Sequence, residues 1–327
     1  VSVEHAGGSD SRDVFDVVAI GETMAAFVQD GAAADRYRVT AIGAESNVAV
    51  GVAQLGCRAR WVSRLGEDEL GRYVHDSIAS HGVDVRVEWD SSRPTGVSVK
   101  EVRPGRTRVR YYRSQSAARQ LNRAQVASFG TARWLHVTGI TPALSSEAAD
   151  VITMLVERRA GHTGKVSFDV NYRPVLWPDV ATASRVLIPL ARQADVVFIG
   201  YDEAESLLGS CDEAEIARHL LTRDDQELVI KRGEGAASVV TTAGSVSEPA
   251  IPTTIVDLTG AGDAFAAGYL TGACWGWDAS QRLRLGHFLA SRVVGVPRDL
   301  GPAVDKAELA RISSAIAAPS QLRNDAL

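Results

Sequence analysis

Short apolar runs alternate along this chain with longer stretches of helical periodicity. Val14–Ile20, Arg60–Leu65, Trp134–Val137, Val166–Val170, Val196–Ile199 and Leu228–Lys231 read as strands. Several are apolar almost throughout, the pattern of strands buried on both faces. Between them, Ser46–Leu55, Glu69–Ser80, Ser146–Arg159, Ala183–Arg192, Glu203–Leu208 and Glu213–Leu221 place apolar residues at helical spacing. Gly56 and Gly82 stand as stop signals after the first two. Strands separated by helices cannot close as hairpins. They specify an α/β fold, a mainly parallel central sheet with helices on both faces. Ser238–Thr242 and Ser245–Ser247 then read as a terminal hairpin, and Ala264–Ala273 and Gln281–Val294 as late helices.

Two segments break this rhythm. Ala25–Thr40 and Thr95–Ser114 each read as a pair of short strands, turning at Asp30–Gly31 and Pro104–Gly105. Together they are expected to form a small β-sheet lid, with self-association into a homo-oligomer through it. The α/β core is then expected over 13–21, 43–92 and 119–312. The lid falls over 22–42 and 93–118, and loose tails over 1–12 and 317–327. The polar N-terminus has no apolar run of signal-peptide type. The longest uncharged stretch, Ala264–Trp277, is too short to span a bilayer. A net charge of -5 argues against a nucleic-acid partner. Cys57, Cys211 and Cys274 are odd in number and form no C-x-x-C pair, which fits a reduced, cytoplasmic setting and no zinc site.

The sharpest chemical signal is Asp257-Leu258-Thr259-Gly260-Ala261-Gly262-Asp263, directly ahead of an apolar helix. Three small residues expose backbone N–H groups at a helix N-terminus, where the dipole favours an anion. Asp263 would repel that anion. It makes sense there if it takes a proton from a hydroxyl attacking a phosphoryl group, though it could equally be a plain helix cap. Other phosphate motifs fail. Gly164-Lys165 is followed by Val166, so there is no P-loop, and Phe265 stands where a dinucleotide fingerprint needs glycine. Gly43-Ala44-Glu45-Ser46-Asn47 opens a helix through a small-residue turn, with Ser46 its expected cap. Asn47 can both donate and accept there. Asp169-Val170-Asn171-Tyr172-Arg173 ends a buried strand. Tyr111 and Arg113 share one face of a lid strand. Arginines from two separate places suggest an anionic substrate. Asp169, Glu203, Gly233 and Gly260–Asp263 each follow an expected strand or open a helix. In an open α/β sheet, that edge binds ligands.

From about Val14 to about Leu309 these residues resemble the ribokinase (phosphofructokinase-B) family of sugar kinases. Gly260–Asp263 is similar to that family's C-terminal signature, and the stretch from Gly43 to Gly56 to its N-terminal one. Within it, Val137–Leu144, Asp169–Arg173 and Tyr111–Arg113 look most like bacterial 2-keto-3-deoxygluconate kinases. The resemblance implies ATP and Mg2+, with Asp263 as base and Gly260, Ala261 and Gly262 as anion hole. Gly43, Asn47, Tyr111, Arg113 and Arg173 would hold the sugar acid. Lys231, Gly233, Gly235 and His287 would line the nucleotide site together with Gly260 and Gly262, and Glu203 would act indirectly on the metal. The implied reaction phosphorylates the terminal hydroxyl. A fructokinase-like or ribokinase-like activity, or a silent sugar sensor, is the alternative. The sequence departs from the family pattern at Leu258, Gly200, Ser98 and His287, and the turn after Lys231 is one residue short.

Overall fold

The computed structural model describes residues 14–29, 36–103, 106–127, 129–158, 164–296 and 300–317. The chain opens with β1 (Val14–Ile20), β2 (Met24–Gln29), β3 (Tyr37–Ile42), α1 (Ala44–Gln54), β4 (Ala59–Gly66), α2 (Glu69–Ala79) and β5 (Asp84–Asp90). It continues through β6 (Val97–Arg103), β7 (Arg106–Tyr112), the single turn α3 (Arg123–Val126), β8 (Thr131–Thr138), α4 (Ser146–Arg158), β9 (Lys165–Asp169) and α5 (Val180–Gln193). The rest is β10 (Val196–Gly200), α6 (Tyr201–Leu208), α7 (Glu213–Leu220), β11 (Glu227–Lys231), β12 (Ala237–Thr241), β13 (Gly244–Glu248), α8 (Ala261–Cys274), α9 (Ala279–Val294) and α10 (Lys306–Ala317).

Nine strands form one sheet in the order β13-β12-β11-β10-β9-β8-β1-β4-β5. Every neighbour from β5 to β11 is parallel, and the hairpin β12-β13 adds an antiparallel edge. Two apolar layers cover its faces. One contains Val48, Trp61, Phe265 and Tyr269. The other contains Leu135, Ile152, Phe168 and Ile216. Strand order reverses at β1: β4 and β5 lie on one side of it, and β8 and the later strands on the other. The carboxyl ends of the strands diverge there and leave a crevice.

The four-stranded second sheet has the order β3-β2-β6-β7. Both hairpins expected from the sequence are present, joined through a parallel β2-β6 pairing. Their turns at Asp30–Gly31 and Pro104–Gly105, and the tails at 1–12 and beyond Ala317, lie outside the described residues. Beyond the single turn α3, two elements had no sequence expectation. The edge strand β5 is highly charged (Asp84-Val85-Arg86-Val87-Glu88-Trp89-Asp90) and so lacks the apolar run that marked the others. Its Asp84 and Asp90 instead bond Arg60 and Arg64 on β4. The helix α10 packs Ile312 and Ile316 into the first apolar layer. Among the described residues no helix is long and apolar enough to cross a membrane.

Helix α8 sits between α1 and α9, apolar nearly all round, as a buried helix must be. A Cβ on Gly268 would lie 2.5 Å from the Leu285 carbonyl oxygen of α9. This close approach fixes how far the α8 N-terminus reaches into the crevice. In an exposed helix Gly→Ala stabilises by roughly 0.5–1 kcal/mol. Here Gly268→Ala is expected to destabilise by about 1–3 kcal/mol through overpacking. The sign of the shift in urea midpoint decides between the two.

Candidate active site

The carboxyl edge of the parallel strands carries the polar residues that the core excludes. Asp169 ends β9. Its Oδ1 accepts the Asn171 N–H at 3.2 Å, a turn that Asp makes readily. Asn171 adopts φ +39°, a left-handed conformation that asparagine tolerates better than most residues. That turn aims its amide at Asp263. Lys231 ends β11 two strands away, and its Nζ donates to Asp169 Oδ2 at 2.7 Å. Glu203, in the first turn of α6, accepts the N–H of Tyr172 on one oxygen and that of Gly200 on the other, each at 2.8 Å. It thereby ties the turn after β9 to the turn after β10. Burial pushes the Glu203 carboxyl up, against the opposing pull of Lys231.

Helix α8 begins at Ala261 with Gly260 as its N-cap at φ +80°, a conformation that costs other residues strain. Asp263 does not cap the helix. It lies within the first turn, 9 % exposed, and its Oδ2 accepts the Asn47 side-chain N–H at 2.9 Å. The Asn171 amide is 3.5 Å from Oδ1. Burial raises its pKa from the ordinary 3.8 to about 7. The Asn47 bond and the Arg173 and Lys231 charges work the other way, and Asp169 adds to the rise. The result is a carboxyl poised near neutral pH beside the backbone amides at the start of α8.

Helix α1 also begins earlier than its sequence pattern suggests, at Ala44 with Gly43 as N-cap. Ser46 is therefore not the cap. Its hydroxyl donates to the Gly43 carbonyl and accepts from Thr23. This places Asn47 one turn inside α1, facing α8. From the second sheet, Tyr111 and Arg113 reach the same crevice, Tyr111 half-exposed and Arg113 buried. Arg113 pairs with the buried Glu22, whose other oxygen accepts the Ser116 hydroxyl. Arg173 is exposed at the crevice wall, and its guanidinium donates to the Tyr172 carbonyl at 3.4 Å.

One cleft of about 730 Å³ collects these groups. Gly43, Asn47, Tyr111, Arg113, Arg173, Glu203, Lys231, Gly233, Gly260, Ala261, Gly262, Asp263 and His287 all line it. Gly235 does not, because the turn after β11 carries only Arg232 and Gly233 to the wall. Lys231 lies against the start of α8: its Nζ is 3.4 Å from where a Cβ on Gly262 would stand. His287 presents its ring under Phe265, with Nε2 bonded to the Glu248 carbonyl, and burial lowers its pKa. Ser98 is fully buried and does not line the cleft. Sequence reasoning did not assign Glu22, Lys100 or the Asp169–Lys231 pair to the site. Glu22 could have been suspected as a carboxylate just past the end of β1. The pairings themselves cross between distant strands and leave no local signal.

Backbone amides at a helix start, a lysine and a guanidinium suit a phosphate. A hydroxyl held near Asp263 could lose its proton there. Among the described residues no group of three or more His, Cys, Asp or Glu side chains could hold a metal by itself. A divalent ion would therefore have to be carried mainly by phosphate oxygens, as Mg2+ commonly is.

The pattern of known pfkB family carbohydrate kinases matches residues 14–304. A 2-dehydro-3-deoxygluconokinase of Bacillus subtilis is 36% identical over 322 residues, covering 95% of this chain and 99% of that protein. A fructokinase of Klebsiella pneumoniae is 34% identical over 236 residues, covering 70% of this chain and 76% of its own. The crystal structure of 2-dehydro-3-deoxygluconokinase from Thermotoga maritima superposes with a TM-score of 0.78 at 25% identity, covering 92% of this chain and 98% of that one.

The raised pKa of Asp263 makes a stability prediction. A carboxyl whose folded pKa lies above its unfolded one contributes stability that is complete below about pH 4 and lost as pH rises through about 7. Asp263→Asn removes that titration. The variant is expected to melt above the wild type at pH 8, with the gap closing toward pH 4. A gap that does not change with pH would mean that Asp263 titrates as an ordinary carboxyl.

Proposed function

Given that the chain belongs to the pfkB family of carbohydrate kinases, we propose that it phosphorylates the terminal hydroxyl of a sugar acid. The acceptor on this reading is 2-dehydro-3-deoxygluconate (2-keto-3-deoxygluconate), which becomes its 6-phosphate. The observation that carries the proposal is the buried carboxyl of Asp263 beside the α8 amides, in one cleft with Arg113 and Arg173. ATP with Mg2+ supplies the phosphoryl group. The amides of Gly260, Ala261 and Gly262 face its anionic oxygens. No side chain larger than a methyl group covers these positions, though the Ala261 N–H also bonds the Leu258 carbonyl at 3.3 Å.

Phosphoryl transfer runs through a loose transition state, so positioning and charge stabilisation dominate. Asn47 and Asn171 hold the Asp263 carboxyl in place. Asp263 orients the acceptor hydroxyl and takes its proton late. The Lys231 ammonium, locked by Asp169, offsets negative charge at the start of α8. Glu203 and Asp169, each with both oxygens already accepting a hydrogen bond, would act on a metal indirectly, through water. Gly43 and Tyr111 would hold the sugar, and Arg173 its carboxylate. Gly233 and the Phe265–His287 wall would border the nucleotide.

One observation favours fructokinase as a second reading. Arg113 already neutralises Glu22, so less free positive charge faces the cleft than two arginines suggest. The free thiols of Cys57, Cys211 and Cys274 fit a cytoplasmic enzyme. The lid's outer face, where Tyr112 is 60% exposed, is the surface proposed for self-association.

Asp263→Asn is expected to lower turnover by about 10² or more while keeping nucleotide binding. Specificity constants on 2-dehydro-3-deoxygluconate and fructose test the substrate. Arg173→Ala is expected to lose about one to two decades on the sugar acid, from a charge-assisted bond of about 1.5–3 kcal/mol, and less on fructose. Arg113→Ala should weaken both substrates and stability, because it strands buried Glu22. A wild-type preference for fructose would overturn the sugar-acid assignment.

A further inference from the structure

We propose that Lys100 is a positioning residue, a latch through which closure of the β-sheet lid orders the backbone amides that receive the phosphate. The proposal rests on the kinase reading above. Lys100 lies on β6, on the same face as Ser98, and Ser98 pairs directly with Tyr111 of β7. The lysine therefore continues the cleft-facing side of the lid beyond the sugar-facing tyrosine. It does not turn to solvent, as surface lysines do. Its side chain is 8% exposed, and its Nζ pairs with Asp257 and donates to Thr259 Oγ1 at 3.0 Å.

The partners are as informative as the lysine. Asp257 Oδ1 accepts both the Thr259 N–H at 3.1 Å and the Thr259 hydroxyl at 2.7 Å. One ammonium thus closes a small polar knot in the loop that leads into Gly260, the left-handed cap of α8. Burial works to raise the Asp257 carboxyl, but the Lys100 and Thr259 bonds outweigh it and hold it below the ordinary value. The partners are 157 residues apart in sequence, one on the lid sheet and the other in the loop before α8. At its other end the lid is anchored to the core by Thr95, whose N–H and hydroxyl both bond Asp68. The Lys100 contact is at the end that meets the phosphate loop.

A buried ion pair contributes little net stability, because desolvation offsets the attraction, but losing one partner leaves a buried charge alone. Such a pair serves better as a two-position contact than as glue. With the lid down, Asp257 is neutralised and the loop is fixed. With the lid up, it is not. Tyr111 and Arg113 ride on the same sheet, so sugar binding and anion-hole order share one contact. That makes the two sites energetically coupled, and reciprocally so.

The test uses the full-length protein and Lys100→Met, which keeps the aliphatic stem, with Lys100→Arg, Asp257→Asn and the Lys100→Met/Asp257→Asn double variant. Calorimetry with a non-hydrolysable ATP analogue, with and without 2-dehydro-3-deoxygluconate, gives the coupling factor. The wild type is expected to show tighter analogue binding by roughly 5–150-fold when the sugar acid is present. In Lys100→Met, Asp257→Asn and the double variant alike the factor should fall to about one, while Lys100→Arg keeps most of it. Turnover should drop, and by the same reciprocity the KM for the sugar at saturating nucleotide should rise by about the factor lost. A second arm needs no sugar. Amide exchange in residues 255–262 should quicken about tenfold or more in Lys100→Met, with β8 to β11 unchanged. Unchanged exchange in 255–262, exchange quickened throughout the sheet, or a coupling factor kept in Lys100→Met would overturn the latch. A wild type that binds no sugar acid, yet shows the local exchange effect, would overturn the substrate assignment and leave the latch supported.

Discussion

Asp263 sits in the first turn of α8 with its carboxyl out of water, and everything around the cleft bears on what that burial costs. Left alone in an apolar pocket the group would stay protonated and could accept nothing. Asn47 and the charges of Arg173 and Lys231 draw it back until it titrates near neutral pH. Lys231 in turn is partly buried and stays charged because Asp169, Glu203 and Asp263 surround it. The acid and the base of the cleft are thus each set by the other. Neither could be altered without moving the protonation of its neighbour.

That network depends on distances which only the sheet can hold. Asp169 and Lys231 end strands β9 and β11, with β10 between them, and their meeting at 2.7 Å follows from parallel register. Asn47 and Asp263 come from helices that pack side by side, brought close by small residues at their contact. A shift of one helical residue in α1 would rotate Asn47 away from Asp263, since neighbouring residues point about 100° apart around a helix. The apolar layers therefore do more than stabilise the chain. They fix the geometry of a site to which they contribute few atoms.

The lid supplies the complementary half. Beside the apolar contacts of Ala25 and Ala41 with the first layer, its residues meet the core through polar pairs, Lys100 with Asp257 and Thr95 with Asp68. Polar contacts of this kind can be broken and remade against water at small net cost. Apolar packing at the same place would hold the cleft permanently shut or leave a sticky face when open. The arrangement suits an enzyme that must exclude water from a phosphoryl group and then release its product.

The sequence by itself determined the α/β class, the two interrupting hairpins and the stretch Gly260–Asp263, because these rest on local periodicity and on small residues at a helix start. The strands that were apolar throughout were legible. The charged edge strand β5 was not, because its side chains are satisfied by arginines on β4 rather than by burial. Helix starts were shifted by two to three residues at Ala44 and Ala261, where glycine caps take the place of a side-chain cap. Gly235, though next to the cleft in sequence, is turned out of it by the short loop after β11. Only the tertiary structure decided that Arg113 is tied to Glu22, that Lys231 bonds Asp169, and that Lys100 crosses from the lid sheet to the loop before α8. Each of these is a pairing between residues far apart in the chain. Its energy depends on a distance and a local dielectric that no stretch of sequence encodes alone.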